Sequence, residues 1–484
     1  MPQYLTPGVY VEEVPSAVKP IAGVGTSTAG FIGVVNDLVE MPLRPGRTGV
    51  KPPAAADSTT ATGDPESTAP PSDAGSTTPE DGVSGATTPE REPDDFYTVA
   101  AAGTAVLVDS WDTFRRNFGD VQPGNFVLAN AVYGFFNNGG SRAWVTRVAD
   151  GTDTSAGGTD ASPAGTDSST GTDSSPADTD SSPAGTDTST GGTDSSDPGS
   201  VDSDAGIAHD LVAALESFSF IDEIAIVAIP GATGDPVRTA LVDHCENMQG
   251  RFAVLDGHRA TSPIRADIVG GVRDSSYAAL YYPWIQIGTD PKTGEPLFQP
   301  PSGHVVGIYA RVDATRGVHK APANEVIRGA LGVETLVSKS GQAGLNPGGV
   351  NVIRMFGANV TIWGARTTAA VSQPDWKYVS SRRLFIFIRE SIEQGLQWTI
   401  FEPNAPDLWS KVRRNVTAFL TTVWADGALL GTTPERAFYV RCDETTNPPE
   451  VRDLGQLVTE VGIALVNPAE FVVFRISQWA GPAA

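Results

Sequence analysis

Apolar residues in the last hundred positions follow helical and strand periods in turn. Arg382–Gln394 and Asp407–Trp424 carry apolar side chains three or four positions apart, so both are predicted to be amphipathic helices. The shorter runs Gln397–Glu402, Phe438–Cys442 and Gln456–Val466 predict strands. This mixture predicts a compact α+β unit at the C-terminal end of the sequence.

Strand-like segments also occur near both ends of the chain. Gly8–Val14 is a short run bounded by prolines, and Phe471–Ser477 is rich in Phe and Val. Terminal segments fray unless something holds them, so a strong terminal strand indicates pairing. The partner is a strand of the same domain or of another chain, and the N-terminal pattern alone fits either.

Between the termini, apolar strands alternate with helical segments, most clearly over residues 207–290, which predicts an α/β domain. Asp109 or Ser110 is the expected N-cap of a helix, and Ser302 is the expected cap of another that runs through Val312. The predicted strands are Gly25–Val35, Ala105–Val108, Ala143–Val148, Ile224–Ile229, Phe252–Leu255 and Ala278–Ile287. The other predicted helices are Trp111–Phe118, Asn125–Asn137, His209–Phe218 and Val237–Met248.

Two polar inserts, 44–95 and 151–206, interrupt this pattern and are predicted to be disordered, because they have too few apolar residues for a core. Residues 151–204 contain eleven Asp and no Lys or Arg, and residues 44–95 have a net charge of −6. These stretches carry −17 of the net charge of −24, so the acidity belongs mainly to the inserts. An acidic chain disfavours nucleic acid as a partner.

The candidate catalytic chemistry in the sequence is weak. The loop Pro230–Asp235 follows a predicted strand and could hold a phosphate, but the glycine-rich nucleotide motifs are missing. His244 and Cys245 are adjacent, and Asp256 and His258 end a strand, where catalytic groups often lie. An α/β enzyme with a site near Asp256/His258 therefore stays as the alternative, and a non-contractile surface or adhesin module is a third possibility.

The helix predicted from Asp407 carries basic residues beside its apolar stripe. Lys411 and Arg414 lie three positions apart and away from the stripe, and Arg413 lies next to it. A solvated helix face and a docking surface for an acidic partner both fit this pattern.

Several segments, taken in order, resemble contractile tail sheath proteins, the sheath subunits of contractile phages, R-type pyocins and related contractile injection systems. The first is YLTPGVYVEE at Tyr4–Glu13, which is similar to their N-terminal arm. The two inserts depart from the family pattern, whereas most of the remaining chain follows it. The other matching segments are Gly25–Gly33, Tyr133–Val148, Tyr281–Trp284, Pro300–Asn324, Leu345–Ile353, Trp363–Thr367, Arg382–Trp409 and Val458–Ile476.

The resemblance implies a structural subunit that is not an enzyme and needs no cofactor or metal. Such subunits polymerise as stacked hexameric rings around an inner tube and contract to drive it through a target envelope. Lys411 and Arg414 are the implied tube-contacting residues. The implied arms pair with sheets of neighbouring subunits through Val9, Tyr10, Val11, Glu12, Phe471, Val472, Val473, Phe474 and Ile476.

The expected fold is α+β with several domains: an N-terminal linker arm (1–22), an α/β outer domain (23–350), an inner C-terminal sheath domain (351–469) and a C-terminal linker arm (470–484). The inner domain is expected to be an α/β sandwich completed by strands of neighbouring subunits. Expected partners are other copies of the chain in a helical homo-oligomer, the inner tube protein, and the baseplate and tail terminator proteins.

No nucleic acid and no direct membrane insertion are expected, because the chain is acidic and has no apolar run of membrane-spanning length. It has two distant cysteines and no signal-peptide pattern at its start. The expected location is the cytoplasm on synthesis, and then a virion or a phage tail-like particle.

Overall fold

A computed structural model of the chain describes residues 20–47, 95–150, 201–202, 204–260, 263–471 and 473. The N-terminal arm residues Val9, Tyr10, Val11 and Glu12 lie outside this range, as do most positions of both inserts. The strands are β1 (Ala29–Val34), β2 (Ala105–Val108), β3 (Ala143–Val148), β4 (Ile226–Ala228), β5 (Phe252–Asp256), β6 (Ala278–Tyr282), β7 (Ile285–Thr289), β8 (Pro296–Gln299), β9 (Glu325–Val326), β10 (Gly332–Val333), β11 (Val350–Phe356), β12 (Asn359–Ile362), β13 (Phe438–Arg441) and β14 (Glu460–Ile463). The helices are α1 (Trp111–Phe118), α2 (Phe126–Asn137), α3 (Ala205–Ala214), α4 (Asp235–Met248), α5 (Arg265–Val269), α6 (Ser302–Arg316), α7 (Lys339–Leu345), α8 (Val379–Gly395), α9 (Pro406–Ala425), α10 (Pro434–Ala437) and α11 (Pro449–Asp453).

Among the described residues, the main sheet has nine strands in the order β2-β3-β1-β4-β5-β6-β11-β12-β9. The strands from β3 to β11 in this order are parallel, whereas β2 and β12 pair antiparallel with their neighbours. Parallel strands are covered on both faces, which explains why β4 and β5 consist of buried residues throughout. The sheet therefore forms the centre of an α/β body.

Helices cover both faces of this sheet and give the α/β body two apolar cores. Helices α1, α2 and α6 pack on one face, with Phe31, Phe135 and Tyr309 in the core. Helices α3, α4 and α5 pack on the other, with Leu241 and Ile268. Helices α2 and α6 cross closely enough that a Cβ on Gly303 would overlap the Ala131 carbonyl oxygen. Glycine is required at that crossing.

The C-terminal unit, which contains α8, α9, β13 and β14, has a separate apolar core. Apolar side chains on one stripe of α9 fill it, because their helical spacing places them on the same face. Ile21, from the other end of the chain, lies in the same core and is 9% exposed. The residues of α9 in this core are Leu408, Trp409, Val412, Val416, Phe419, Leu420 and Val423.

Most predicted elements agree with the structure. The strands Ala105–Val108 and Ala143–Val148 and the helix Trp111–Phe118 have the predicted bounds. Ser110 is the N-cap of that helix, since its Oγ accepts a hydrogen bond of 3.3 Å from the Thr113 backbone N–H. The predicted helix Asp407–Trp424 is α9, which is one residue longer at each end.

Three predicted elements differ from the structure. Gln397–Glu402 is a short 3-10 turn and a loop, in which Phe401 has φ 67°, outside the strand region. The predicted strand Ala278–Ile287 is interrupted at Pro283 and forms β6 and β7, since proline has no N–H for a ladder. Ser302 is the first residue of α6 and not its cap, and its hydroxyl donates to Asp256.

The main sheet crosses the predicted boundary at residue 350. The sequence predicts that the inner domain begins at residue 351, within β11, but β11 pairs in parallel with β6 of the main sheet. Residues 350–362 therefore lie in the α/β body, and the separate C-terminal core begins with α8.

Candidate functional site: the C-terminal unit and its two roots

The outer face of α9 is basic and exposed. Lys411, Arg413 and Arg414 are all exposed, and in the part of the chain that the structure describes no acidic side chain forms an ion pair with them. Val412 and Val416, on the opposite face, are fully buried. The core thus orients the helix so that its positive charges point to solvent.

The N-terminal root, defined as residues 20–28, connects the C-terminal unit to strand β1. Ile21 packs against Gly395 at the end of α8, and the Val24 backbone N–H donates a 3.1 Å hydrogen bond to the Ser391 hydroxyl. The Thr26 hydroxyl donates to Asp313 at 2.7 Å. Side chains and backbone of the root are therefore fixed along α8 at the point where the described residues begin.

A buried ion pair joins α8 to α6 beside this root. The Arg383 guanidinium donates to the two Asp313 carboxylate oxygens at 2.9 and 2.6 Å, and the two side chains are 4% and 5% exposed. Arg383 also donates to the Thr26 carbonyl oxygen at 2.9 Å. The pair is bidentate and hydrogen-bonded to its surroundings, which is the condition for a buried charge pair to be tolerated.

The C-terminal root, residues 464–471, leaves β14 and crosses the start of α8. The Ser381 hydroxyl donates to the Asn467 side-chain oxygen at 2.9 Å. Three residues later, Glu470 accepts hydrogen bonds from the α/β body, including one of 2.8 Å from Arg366. Phe471 and Val473 are 69% and 78% exposed, whereas Val472, Phe474 and Ile476 lie outside the described residues.

Strand β13 presents an outer edge in the C-terminal unit. It pairs antiparallel with β14, and within the described ranges no other strand pairs with it. On the β14 side, Leu465 forms a single bridge with Leu429. An edge of this kind has main-chain N–H and C=O groups directed outward, which a further strand can use.

Asp256, a candidate catalytic residue of the enzyme alternative, forms internal hydrogen bonds that connect separate segments of the fold. Its carboxylate accepts hydrogen bonds from the Ser302 hydroxyl at 2.7 Å, the Ser302 backbone N–H at 2.9 Å and the Gly231 backbone N–H at 3.1 Å. It is 1% exposed, and burial raises the pKa of its carboxyl to about 6. The Gly231 N–H of the Pro230–Asp235 loop is therefore bound to the internal Asp256 carboxylate. A phosphate held by this N–H would have to take the place of that carboxylate.

The other two candidate catalytic histidines each lie beside an arginine. His258 Nε2 lies 2.8 Å from a guanidinium nitrogen of Arg238. His244 Nε2 lies 2.6 Å from Arg251, and burial together with that charge lowers the His244 pKa to about 4. Burial raises the pKa of the Cys245 thiol to about 12, so the thiolate that acts as a nucleophile is suppressed.

We expect Asp256→Ala to lower the free energy of unfolding by about 2 kcal/mol, because the buried donors of Ser302 and Gly231 lose their acceptor. Urea unfolding followed by circular dichroism measures this. Asp267→Ala, at an exposed position of α5, serves as the control and should change stability by less than about 0.5 kcal/mol. Equal stability of the two variants would contradict the structural role of Asp256.

Two comparisons with protein families cover the α/β body and the C-terminal unit. Residues 207–368 match the phage tail sheath protein central domain, and residues 371–478 match the phage tail sheath C-terminal domain. Together they span more than half of the chain. The chain belongs to the contractile tail sheath family.

The chain is also similar to individual sheath proteins and to solved sheath structures. It is 27% identical over 209 residues to the tail sheath protein of Burkholderia phage BcepMu, which is 42% of this chain and 42% of that relative. The alignment therefore spans less than half of this curated relative. The helical sheath of the anti-feeding prophage in its contracted state has a TM-score of 0.63 at 24% identity, with coverage of 98% and 99%. The contracted PVC sheath complex of an extracellular contractile injection system has a TM-score of 0.63 at 22% identity, with 99% of both chains covered.

These likenesses to solved sheaths show that the described residues have the fold of a sheath subunit. The relatives are tail sheath proteins, and the enzyme alternative receives no support from them. None of the helices among the described residues has the length and hydropathy to cross a membrane, and within those same residues no cluster of His, Cys, Asp and Glu has metal-binding geometry.

Sequence reasoning missed the residues that fix the two roots. Arg383 gave a signal, because it is a charged residue directly before the apolar run that begins at Leu384. Glu470 gave a weaker one, as a single acid before a run of Phe and Val. Their partners Asp313 and Arg366 are distant in sequence, and only the fold brings them into contact.

Proposed function

We propose that the sheath chain is the structural subunit of a contractile sheath, which polymerises as stacked hexameric rings around an inner tube and contracts to drive that tube through a target envelope. The observation that carries this proposal is the position of the two roots. Both roots form hydrogen bonds to α8, in a unit whose strand β13 has an unpaired outer edge among the described residues. This arrangement suits exchange of terminal strands between neighbouring subunits.

In this proposal the arms link subunits through main-chain hydrogen bonds. Residues Val9–Glu12 of one subunit and Phe471–Ile476 of another would add strands to the sheet of β13 and β14 in a third. Main-chain pairing is tolerant of side-chain differences and leaves the subunit bodies free to turn. The high exposure of Phe471 and Val473 supports an extended segment that needs a partner to cover it.

The inner tube is the proposed partner of α9. Lys411 and Arg414 carry exposed positive charges that no described acid neutralises, which suits a weak electrostatic contact with an acidic tube surface. A weak contact at each subunit can be released in sequence during contraction. The baseplate and the tail terminator are the proposed partners at the two ends of the sheath.

Electron microscopy of the negatively stained chain tests the proposal, in low and high salt, alone and co-expressed with its tube protein. Hollow, striated tubes would support a contractile sheath. Small particles under all of these conditions would overturn it.

We expect the double substitution Lys411→Glu and Arg414→Glu to weaken binding to the inner tube at least about tenfold at low salt and to reverse its salt dependence, because attraction becomes a repulsion that added salt screens. Co-sedimentation of preformed tubes with the dispersed chain, at several salt concentrations, measures the binding.

The matched control for this double substitution is Lys292→Glu with Lys339→Glu, which makes the same charge change at exposed positions of the α/β body. If the control weakens tube binding as strongly as the α9 variant, net charge and not the α9 face determines the contact.

A further inference from the structure

A polar clamp holds the C-terminal root to the α/β body at one carboxylate. We define the clamp as Glu470 with the four side chains that bind it. Arg366 donates to the carboxylate from Nε at 2.8 Å and from a terminal nitrogen at 2.7 Å, which makes a two-pronged contact. Asn346 donates at 2.7 Å and the Tyr378 hydroxyl at 2.9 Å, and the Lys377 ammonium lies 3.2 Å away.

Contacts that do not involve Glu470 hold its partners Arg366 and Tyr378 in position. Arg366 and Tyr378 form an antiparallel backbone bridge. The Arg366 backbone exchanges two hydrogen bonds with the Asn351 side chain, at 2.7 and 2.8 Å. A further guanidinium nitrogen of Arg366 donates to the Asn346 carbonyl oxygen at 2.9 Å. Since Arg366 is 6% exposed and already oriented, little ordering entropy is lost when the carboxylate binds.

The charge balance favours a firmly ionised Glu470. Burial alone would raise its pKa, but the hydrogen bonds from Arg366, Asn346 and Tyr378 and the Arg366 charge outweigh burial and lower it to about 2. Because the folded pKa lies below the ordinary value of 4.5, the stabilisation is complete above about pH 4.5. It is lost as the pH falls toward 2.

The clamp determines what a pull on the C-terminal arm acts upon. Glu470 lies one residue before the exposed Phe471, and its partners belong to loops that follow α7 and β12 and precede α8. Without the clamp, only the Ser381–Asn467 hydrogen bond and the Leu429–Leu465 bridge would stand between a pull on the arm and β14, which is four residues long and pairs with β13. With it, the pull acts on the main sheet.

From this geometry we infer that Glu470 and Arg366 form a mechanical anchor, which transmits tension from the C-terminal arm to the α/β body and protects the β13–β14 pair. The inference rests on the proposed function for the origin of the tension. The anchor itself is a property of the single chain and can be measured without a sheath.

The first test measures the clamp in the dispersed chain by spin-label distance spectroscopy. Labels at Val473→Cys and Lys339→Cys report the spread of the arm relative to α7, and the native Cys245 and Cys442 are buried. We expect Glu470→Gln to widen the distance distribution at least about twofold. Glu460→Gln, on an exposed ion pair with Arg441, should leave it unchanged.

Tyr378→Phe is a milder variant, which removes a single donor to Glu470 and should widen the distribution less. It keeps the test decisive if Glu470→Gln unfolds. Equal widths for the parent chain, Tyr378→Phe and Glu470→Gln would overturn the anchor.

The second test uses assembled tubes, contracted with urea at neutral pH and viewed by negative stain. Tubes of Glu470→Gln should form but break into short pieces on contraction, whereas Glu460→Gln tubes should stay whole. If Glu470→Gln tubes contract intact, the anchor is not what carries the tension. If the parent chain forms no tubes with or without its tube protein, the proposed function fails while the spin-label result still decides the clamp.

Discussion

Removing residues 1–19 should abolish tube formation and leave the subunit folded. The cut falls just before the N-terminal root, so Ile21 and the Val24–Ser391 hydrogen bond stay in place. If the arm pairs with a neighbouring subunit as proposed, the loss of about four inter-subunit hydrogen bonds of about 1 kcal/mol each raises the critical concentration for assembly by about a thousandfold. Electron microscopy counts the tubes, and urea unfolding checks the fold.

Proline substitution separates strand pairing from mere chain length in this experiment. Val9→Pro with Val11→Pro removes two main-chain donors, whereas Val9→Thr with Val11→Thr keeps them and retains a strand-forming residue. We expect the proline variant to behave like the truncation and the threonine variant to form tubes. Normal tubes from the truncated or proline chain would show that the N-terminal arm does not link subunits.

Asp313→Ala should destabilise the chain by about 3–5 kcal/mol, because it leaves the Arg383 charge buried with no carboxylate to balance it. The Thr26 hydroxyl loses its acceptor in the same substitution, so the N-terminal root should loosen as well. Denaturant unfolding measures the stability, and hydrogen exchange of residues 20–28 measures the root.

Two further variants test whether the stability lost in Asp313→Ala comes from the unpaired, buried charge of Arg383. Asp313→Leu with Arg383→Met removes both charges and should recover much of the stability, since an apolar pair of similar volume carries no desolvation cost. Asp112→Ala breaks the exposed pair with Arg116 on α1 and should cost less than about 1 kcal/mol. A loss for Asp313→Ala no larger than for Asp112→Ala would contradict the assigned role of the buried pair.

The sequence predicts local structure well wherever the periodicity of apolar residues determines it. Helix α9 is an example, because the stripe from Leu408 to Val423 repeats at helical spacing and leaves Lys411 and Arg414 on the other face. The prediction failed at Gln397–Glu402, where a mixture of apolar and polar residues resembles a short strand. There the left-handed backbone of Phe401 and a 3-10 turn decide the structure.

Longer-range organisation is less accessible from the sequence. Strand β11 begins about seventy residues after β6 ends, yet the two strands pair in parallel, with Val350 opposite Leu280. No local pattern encodes that neighbour, so the predicted boundary at residue 350 cut across the main sheet. The clamp at Glu470 and the buried Arg383–Asp313 pair have the same limitation, because Asp313 lies 70 residues from Arg383 and Asn346 lies 124 residues from Glu470.

The position of both roots on α8 sets a fixed separation between the two exits of the chain. Ser381 contacts the C-terminal root and Ser391 the N-terminal root, ten residues apart on one helix. At 1.5 Å per residue the two contacts are about 15 Å apart along the axis. A helix is a stiff rod, so this spacing survives any rotation of the subunit. Under the proposed function, α8 therefore keeps the two inter-subunit connections of each subunit at a constant distance from each other while the subunits rotate during contraction.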